Sequence, residues 1–230
     1  MHMMDATRIA GRLAECGLDI SFPACEQLER YHCMLIDWNT RMDLTAVTDE
    51  EDMLDRHYVD SLMALTVPGL VPAEGSLIDV GTGAGFPGAL LAIASPEKNF
   101  VLLDSTLKRL KVIDEFAEAL QINNITTLHA RAEEINRKAP HNGAYDLCVS
   151  RAVADLSALS AWCLFGVPFV ICALIQMSRG FSDPWFTRHS LTRRGTPRME
   201  PRRKYRLQIT VALAGFLLLG AFFFATRALT

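Results

Sequence analysis

The chain has 230 residues, half of them apolar, with 23 Lys and Arg against 26 Asp and Glu. That length allows one ordinary domain plus something extra, with a sizeable core only where the apolar content is evenly spread. It is not evenly spread: residues 1–178 carry 13 basic and 24 acidic side chains, a formal charge of −11, whereas 179–230 carry 10 and 2, or +8. The near-neutral total therefore joins two segments of different character. Met1 to Leu13 holds an acid and no long apolar stretch, which argues against a secretory signal peptide and predicts a first domain in the cytoplasm with reduced thiols. Six cysteines form no Cys-x-x-Cys pair and have no His at ligand spacing, so they read as buried small hydrophobes and no metal is assigned.

From Asp5 to Leu65 the apolar residues recur at three or four, as in Leu28, Tyr31, Leu35 and Trp38, which predicts a helical extension over residues 1–70. Within it, Trp38 to Ala46 leaves the helical period and offers Asn39, Thr40 and Asp43 as turn or cap groups before the acidic stretch Asp49–Asp52. Arg56-His57-x-x-Asp60-Ser61 follows; on a helix, Arg56 and Asp60 lie four apart and can pair on one face. Pro68, Pro72 and Gly75 interrupt the pattern and lead into a predicted strand, Ser76–Val80.

Beyond that strand, helix and strand alternate. Phe86–Ala94 is predicted helical, Asn99–Asp104 a strand, Thr106–Leu120 an amphipathic helix with Leu107, Leu110, Ile113, Phe116 and Leu120 on one side, and Ile125–His129 a strand. Arg131–Lys138 reads as a short polar helix or turn, and Tyr145–Val149 as a fourth strand ending at Ser150-Arg151. Such alternation implies an α/β fold with a parallel sheet, whose ligands sit outside the carboxyl ends of the strands. Those ends are Gly81–Gly85, Asp104, Ala130–Glu133 and Ser150–Arg151.

The apolar run Leu77-Ile-Asp-Val80 breaks into Gly81-Thr-Gly83-Ala-Gly85-Phe-Pro-Gly88, and two glycine registers compete there. Gly83, Gly85 and Gly88 have the dinucleotide spacing, whereas Gly81, Gly83 and Gly85 follow directly on the strand. Asp79 inside the strand lies outside the dinucleotide fingerprint, which favours S-adenosylmethionine over NAD. Asp104 lies 19 residues after Gly85, near the distance at which an acid meets ribose hydroxyls; its alternative role is a cap for the helix that follows, which Ser105 can also supply. Arg151 is placed as a cation at the cleft mouth, able to take a carboxylate or phosphate. Lys108, Arg109 and Lys111 form a second basic group, read either as a solvated helix face or as a hold on an RNA backbone. No catalytic acid or base is assigned. A ring nitrogen such as guanine N7 carries a free lone pair and needs none, because alignment and exclusion of water suffice for methyl transfer.

Trp38-Asn39 with Asp43-Leu-Thr-Ala46, Arg56-His57-x-x-Asp60-Ser61, Asp79 to Gly88, Leu103-Asp-Ser105 with Lys108-Arg109, Arg131-Ala-Glu-Glu134 and Ser150-Arg-Ala152 together resemble the RsmG (GidB) family over about residues 5–163. That family comprises bacterial methyltransferases acting on guanine N7 of 16S ribosomal RNA. The resemblance implies a class I S-adenosylmethionine-dependent methyltransferase fold, a Rossmann-like core over 71–163, and a monomer that works on the small ribosomal subunit. It implies cofactor contacts at Gly81, Gly83, Gly85 and Phe86, with Asp104 near the ribose, Ala132 and Glu133 flanking the adenine, and Arg151 completing the pocket. Asn39, Arg56, His57, Lys108 and Arg109 are the implied substrate contacts. One departure is Asp43, where the family usually has Asn.

After about Cys163 the chain leaves the family, whose remaining strands are not recognisable. Leu156–Ser178 is a 23-residue uncharged run, and nine basic residues lie between Arg179 and Arg206 in an atypical stretch, 164–206. Leu207–Thr226 then supplies 20 uncharged, mostly apolar residues, a length that spans a bilayer. If only this last segment inserts, the basic stretch stays with the first domain, as the positive-inside rule prefers. An altered or foreign tail, as after a frameshift or fusion, is preferred over a purposeful anchor, because a sheet stopped at strand four lacks partners.

Overall fold

A computed structural model describes residues 4–67, 70–71, 75–135, 141 and 144–151. The chain divides into two units, Met1–Met177 and Ser178–Thr230, and every described residue belongs to the first. The uncharged runs 156–178 and 207–226 and the basic stretch between them lie outside the described residues. Among the described residues, no helix is long and apolar enough to cross a membrane, and no cluster of metal-ligating side chains occurs.

The predicted helical extension is made of two helices and a composite third element. Helix α1 (Ala6–Glu15) starts where the Asp5 carboxylate accepts the Arg8 N–H at 2.8 Å, and it buries Ala6, Ile9 and Leu13 at helical spacing. Helix α2 (Phe22–Asn39) starts at Ser21 with Pro23 in its first turn, and it buries Leu28, Tyr31, His32 and Leu35. After a loop over 40–48, α3 (Glu50–Met53) is capped by Asp49 and runs into a π-helical segment, Leu54–Val59. A short α4 (Asp60–Leu62) and a 3-10 turn, Met63–Thr66, complete it. In the π segment the Asp60 N–H reaches back to the Asp55 carbonyl, five residues earlier. Widened turns of this kind often mark functional sites.

Strands β1 (Ser76–Val80), β2 (Asn99–Asp104), β3 (Ile125–His129) and β4 (Leu147–Ser150) form one parallel sheet in the order β3-β2-β1-β4. Ile78 sits opposite Val101 on one side and Cys148 on the other, so β1 and its acid are central. Every residue of β4 is buried, as is β1 from Leu77 on; both are the near-continuous apolar runs expected of parallel strands covered on two faces. The crossovers are α5 (Gly88–Ala94), α6 (Leu107–Leu120) and α7 (Ala132–Ile135). Helix α2 docks on α6, with Gln27 donating to the Leu120 carbonyl and Trp38 to Glu115.

Three expectations need adjustment. Helix α5 begins at Gly88 rather than Phe86, because Gly85 takes a left-handed φ of 91° and the N–H groups of Gly85 and Phe86 both turn back to the Thr82 carbonyl. Leu107, expected on the buried face of α6, is 46% exposed; Val112 is buried with Leu110, Ile113, Phe116 and Leu120 instead. The fourth strand begins at Leu147, two residues late, since Asp146 uses its carboxylate to accept the Ser76 N–H at the sheet's start.

Candidate functional site

The turn after β1 is built from glycines because its backbone needs them. Gly81, Gly83 and Gly85 have φ values of 75°, 60° and 91°, a region that L side chains enter only under strain. At Gly85 the position of a Cβ is filled by the Tyr31 hydroxyl and by Ala89 at 2.9 Å; that hydroxyl donates to the Ala84 carbonyl at 2.7 Å. The extension thus supports the turn from behind through α2. At Gly83 a Cβ would meet, among the described residues, nothing closer than the Gly81 carbonyl oxygen at 3.9 Å.

The hydrogen bonds of the turn separate the two glycine registers. A dinucleotide loop presents free N–H groups and a helix N-terminus to a pyrophosphate. Here the N–H groups of Gly81 and Thr82 donate to the Leu103 carbonyl, those of Gly85 and Phe86 to the Thr82 carbonyl, and that of Gly83 to the Asp104 carboxylate at 3.0 Å. The start of α5 already has its own anion, the fully buried Asp79 carboxylate, which accepts the Gly88 N–H at 2.9 Å. Burial pushes the Asp79 carboxyl up to about 6, against the opposing pull of Thr82, Gly88 and Arg151. A cradle with its N–H groups turned inward and its helix end occupied suits a ligand without a pyrophosphate, and the residues present fit S-adenosylmethionine on that ground. Gly88 belongs to the packing: a Cβ there would lie 2.3 Å from Leu102 and 2.7 Å from Asp79.

Asp104 ends β2 at the same rim. Its carboxylate accepts the Gly83 N–H and, at 2.7 Å, the Thr106 N–H, with the Arg109 guanidinium 3.9 Å away. It thus performs the capping task that the sequence offered as its alternative, and ties the glycine turn to α6 as well; Thr106, at the cap position, makes no side-chain cap bond. Lys108 is exposed. At the end of β3, Ala132 is buried, whereas Glu133 is exposed and pairs with Arg131 at 3.5 Å.

The π segment comes to the end of β4. Arg151, expected as a cation at the cleft mouth, has a side chain only 11% exposed and engaged with the chain itself. It donates to the Arg56 carbonyl at 2.7 Å, contacts His57 Nδ1 at 2.9 Å and lies 3.7 Å from Asp60. Burial lowers its pKa, with Asp60 and Asp79 pulling the other way. Arg56 pairs with Asp52 at 3.3 Å instead of Asp60; the π-helical widening spoils the four-residue spacing and frees Asp60 for Arg151. Burial holds Asp60 up at about 7 and His57 down at about 3. The Phe86 ring is enclosed: His57 stacks on it at 4.6 Å and 20°, Tyr31 and Tyr58 lie 6.3 and 6.2 Å away, and the Arg151 guanidinium carbon is 5.2 Å from its centroid. Asn39, expected to touch substrate, is spent on its own loop. Its Oδ1 accepts the N–H groups of Leu44 and Thr45, and its Nδ2 donates to the Thr45 carbonyl. Asp43, the departure from the resemblance, is exposed in that loop.

Tyr31, Thr45 and Asp60 were not singled out as site residues by sequence, and Asp79 was read only as a mark of the cofactor class. Tyr31 follows the core period of α2, and nothing in its spacing marks a hydroxyl aimed at a turn 53 residues away.

A parallel sheet ordered β3-β2-β1-β4, with a glycine turn after β1 and an acid closing β2, is the architecture of doubly wound nucleotide-binding domains, and the inward-turned N–H groups place it with the class I methyltransferases. Within that class, residues 24–167 match the model of the GidB family, described as rRNA small subunit methyltransferase G. The chain belongs to that family. It is 40% identical over 162 residues to the ribosomal RNA small subunit methyltransferase G of Lachnoclostridium phytofermentans, covering 70% of this chain and 66% of that one. Against the protein of the same name from Alkaliphilus metalliredigens it is 41% identical over 156 residues, covering 68% and 64%. For the one from Roseiflexus sp. the identity is 42% over 148 residues, covering 64% and 62%. The matched region thus spans less than two thirds of each of these relatives.

Proposed function

We propose that this chain is an S-adenosylmethionine-dependent methyltransferase that acts on guanine N7 of 16S ribosomal RNA in the small ribosomal subunit. The observation that carries the cofactor is the turn after β1, whose N–H groups point inward and whose helix start is occupied by Asp79, an arrangement that disfavours NAD. Family membership supports the RNA substrate. Gly81, Gly83 and Gly85 let the backbone approach the cofactor, Asp104 receives the ribose, and Ala132 and Glu133 border the adenine. Phe86 contributes through its backbone, since its ring is buried, and Arg151 closes the pocket. The cofactor supplies a methyl group on a sulfonium, displaced in line by an attacking lone pair. Residues of the chain orient the partners and keep water out; guanine N7 needs no proton removed, in keeping with the absence of an assigned base.

RNA contacts fall to Lys108, Arg109 and Arg56. Asn39 and His57 serve the pocket's own construction. We assign 1–70 to the helical extension and 71–163 to the methyltransferase core, working as a monomer in the cytoplasm. A second reading takes the chain as a cofactor-binding remnant with a foreign or membrane-anchoring tail. It is favoured by the end of the family match at residue 167 and the apolar run 207–226.

The full-length protein, given labelled S-adenosylmethionine and small subunits unmethylated at this guanine, should transfer label to guanine, and Gly83→Ala should abolish transfer. Folded protein that binds S-adenosylhomocysteine, is recovered with membranes and transfers nothing would replace the first reading by the second.

A further inference from the structure

His57 has both ring nitrogens committed. Arginine is only a donor, so the 2.9 Å contact from Arg151 Nη2 to His57 Nδ1 requires the lone pair on Nδ1. The ring proton is then on Nε2, where it meets Thr45 Oγ1 at 2.8 Å. The Thr45 hydroxyl oxygen also accepts the Val47 N–H at 3.1 Å, and the Thr45 backbone is held on both sides by Asn39. A continuous chain of hydrogen bonds therefore runs from the last residue of α2 through the 40–47 loop and the π segment to the end of β4. An imidazolium would turn an N–H toward the Arg151 N–H, and the Nδ1–H tautomer would do the same. Only one of three ring states keeps the contact. Burial, which holds the ring well below its usual pKa, keeps it neutral and so excludes the imidazolium.

We infer that His57, as the neutral Nε2–H tautomer, is a positioning residue that orients the Arg151 guanidinium, and that Thr45 accepts the proton this contact leaves on Nε2. The ring also lies stacked on Phe86, so its plane is set by packing and its proton by the Arg151 contact at Nδ1. Second-layer partners of this kind set the tautomer and direction of the group they hold. Arg151 is left with a fixed plane at the pocket, shared among His57, the Arg56 carbonyl and Asp60. The effect on ligand binding rests on the cofactor assignment above; the tautomer does not.

The test uses full-length protein labelled with 15N in its histidines, with S-adenosylhomocysteine as the titrant. At pH 7 the His57 resonances should report a protonated Nε2 and an unprotonated Nδ1. Thr45→Val keeps the shape but removes the acceptor; it should keep the proton on Nε2, lose that proton's hydrogen-bonded shift and bind S-adenosylhomocysteine about tenfold more weakly, the usual consequence of one hydrogen bond to a charged arrangement. Thr45→Ser should restore both. A wild-type His57 with a protonated Nδ1 overturns the inference, as does folded Thr45→Val that binds like the wild type. If Thr45→Val does not fold, the wild-type spectrum still decides. If wild type shows the expected tautomer yet binds no S-adenosylhomocysteine, the cofactor assignment fails while the orientation of Arg151 by His57 stands.

Discussion

Two glycines two positions apart in the same turn should respond differently to the same methyl group. Gly83→Ala adds a side chain that no other described residue crowds, at a φ of 60°, costing about 1 kcal/mol of backbone strain while, on the proposed cofactor site, placing bulk in the ligand's path. Its melting temperature should fall little and its affinity for S-adenosylhomocysteine greatly. Gly85→Ala drives a Cβ into the Tyr31 hydroxyl and Ala89, so calorimetry should register both a large loss of stability and a loss of binding. His57 gives a residue-level dependence on pH. Its folded pKa of about 3 lies below the ordinary 6.5, so between these values the unfolded chain binds the extra proton and stability is lost as pH falls. Relative to His57→Phe, which keeps the stacked ring, the wild type should lose about 2 kcal/mol between roughly pH 7 and pH 5. Asp60 and Asp79, raised to about 7 and about 6, act in the opposite sense. Their contribution is present at low pH and lost as pH rises through those values, and it is common to both proteins, so the difference isolates the imidazole.

At the level of elements, the link between α2 and the glycine turn is one hydroxyl. Tyr31→Phe leaves the Ala84 carbonyl buried without its donor, which costs about 1–3 kcal/mol in denaturant unfolding, and it loosens the turn enough to weaken S-adenosylhomocysteine binding. The central strands were legible in the sequence. Ser76–Val80 and Asn99–Asp104 are short apolar runs bounded by Gly or Pro on one side and by an acid or a glycine turn on the other, and both occur with the expected bounds. The start of α5 was not, because a left-handed Gly85 is compatible with several turns and only the Thr82 carbonyl selects one. Arg56 and Asp60 misled for a related reason. Pairing at i,i+4 presumes 3.6 residues per turn, and nothing in Leu54–Val59 announces a π turn. The rim residues Gly81, Asp104 and Arg151 were found from strand ends, which a parallel sheet places together. Their partners Tyr31, Thr45 and His57 come from another part of the chain, and local spacing carries no information about such contacts.

For the whole molecule, the inward-facing glycine turn has a consequence for ligand entry. With the Gly81, Thr82, Gly83, Gly85 and Phe86 N–H groups already bonded, the loop has less backbone freedom to surrender when the proposed adenosine ligand arrives, which lowers the entropic cost of binding. The turn and the end of β4 are braced by contacts that reach back to the extension, so loosening them requires α2 and the π segment to separate from the sheet. In deuterated water these five amides should therefore exchange slowly in the ligand-free protein, at rates close to those of β1 and β2 and far from those of a surface loop. Added S-adenosylhomocysteine should slow them by the same factor as the strands, because turn, sheet and extension then open only as one cooperative body.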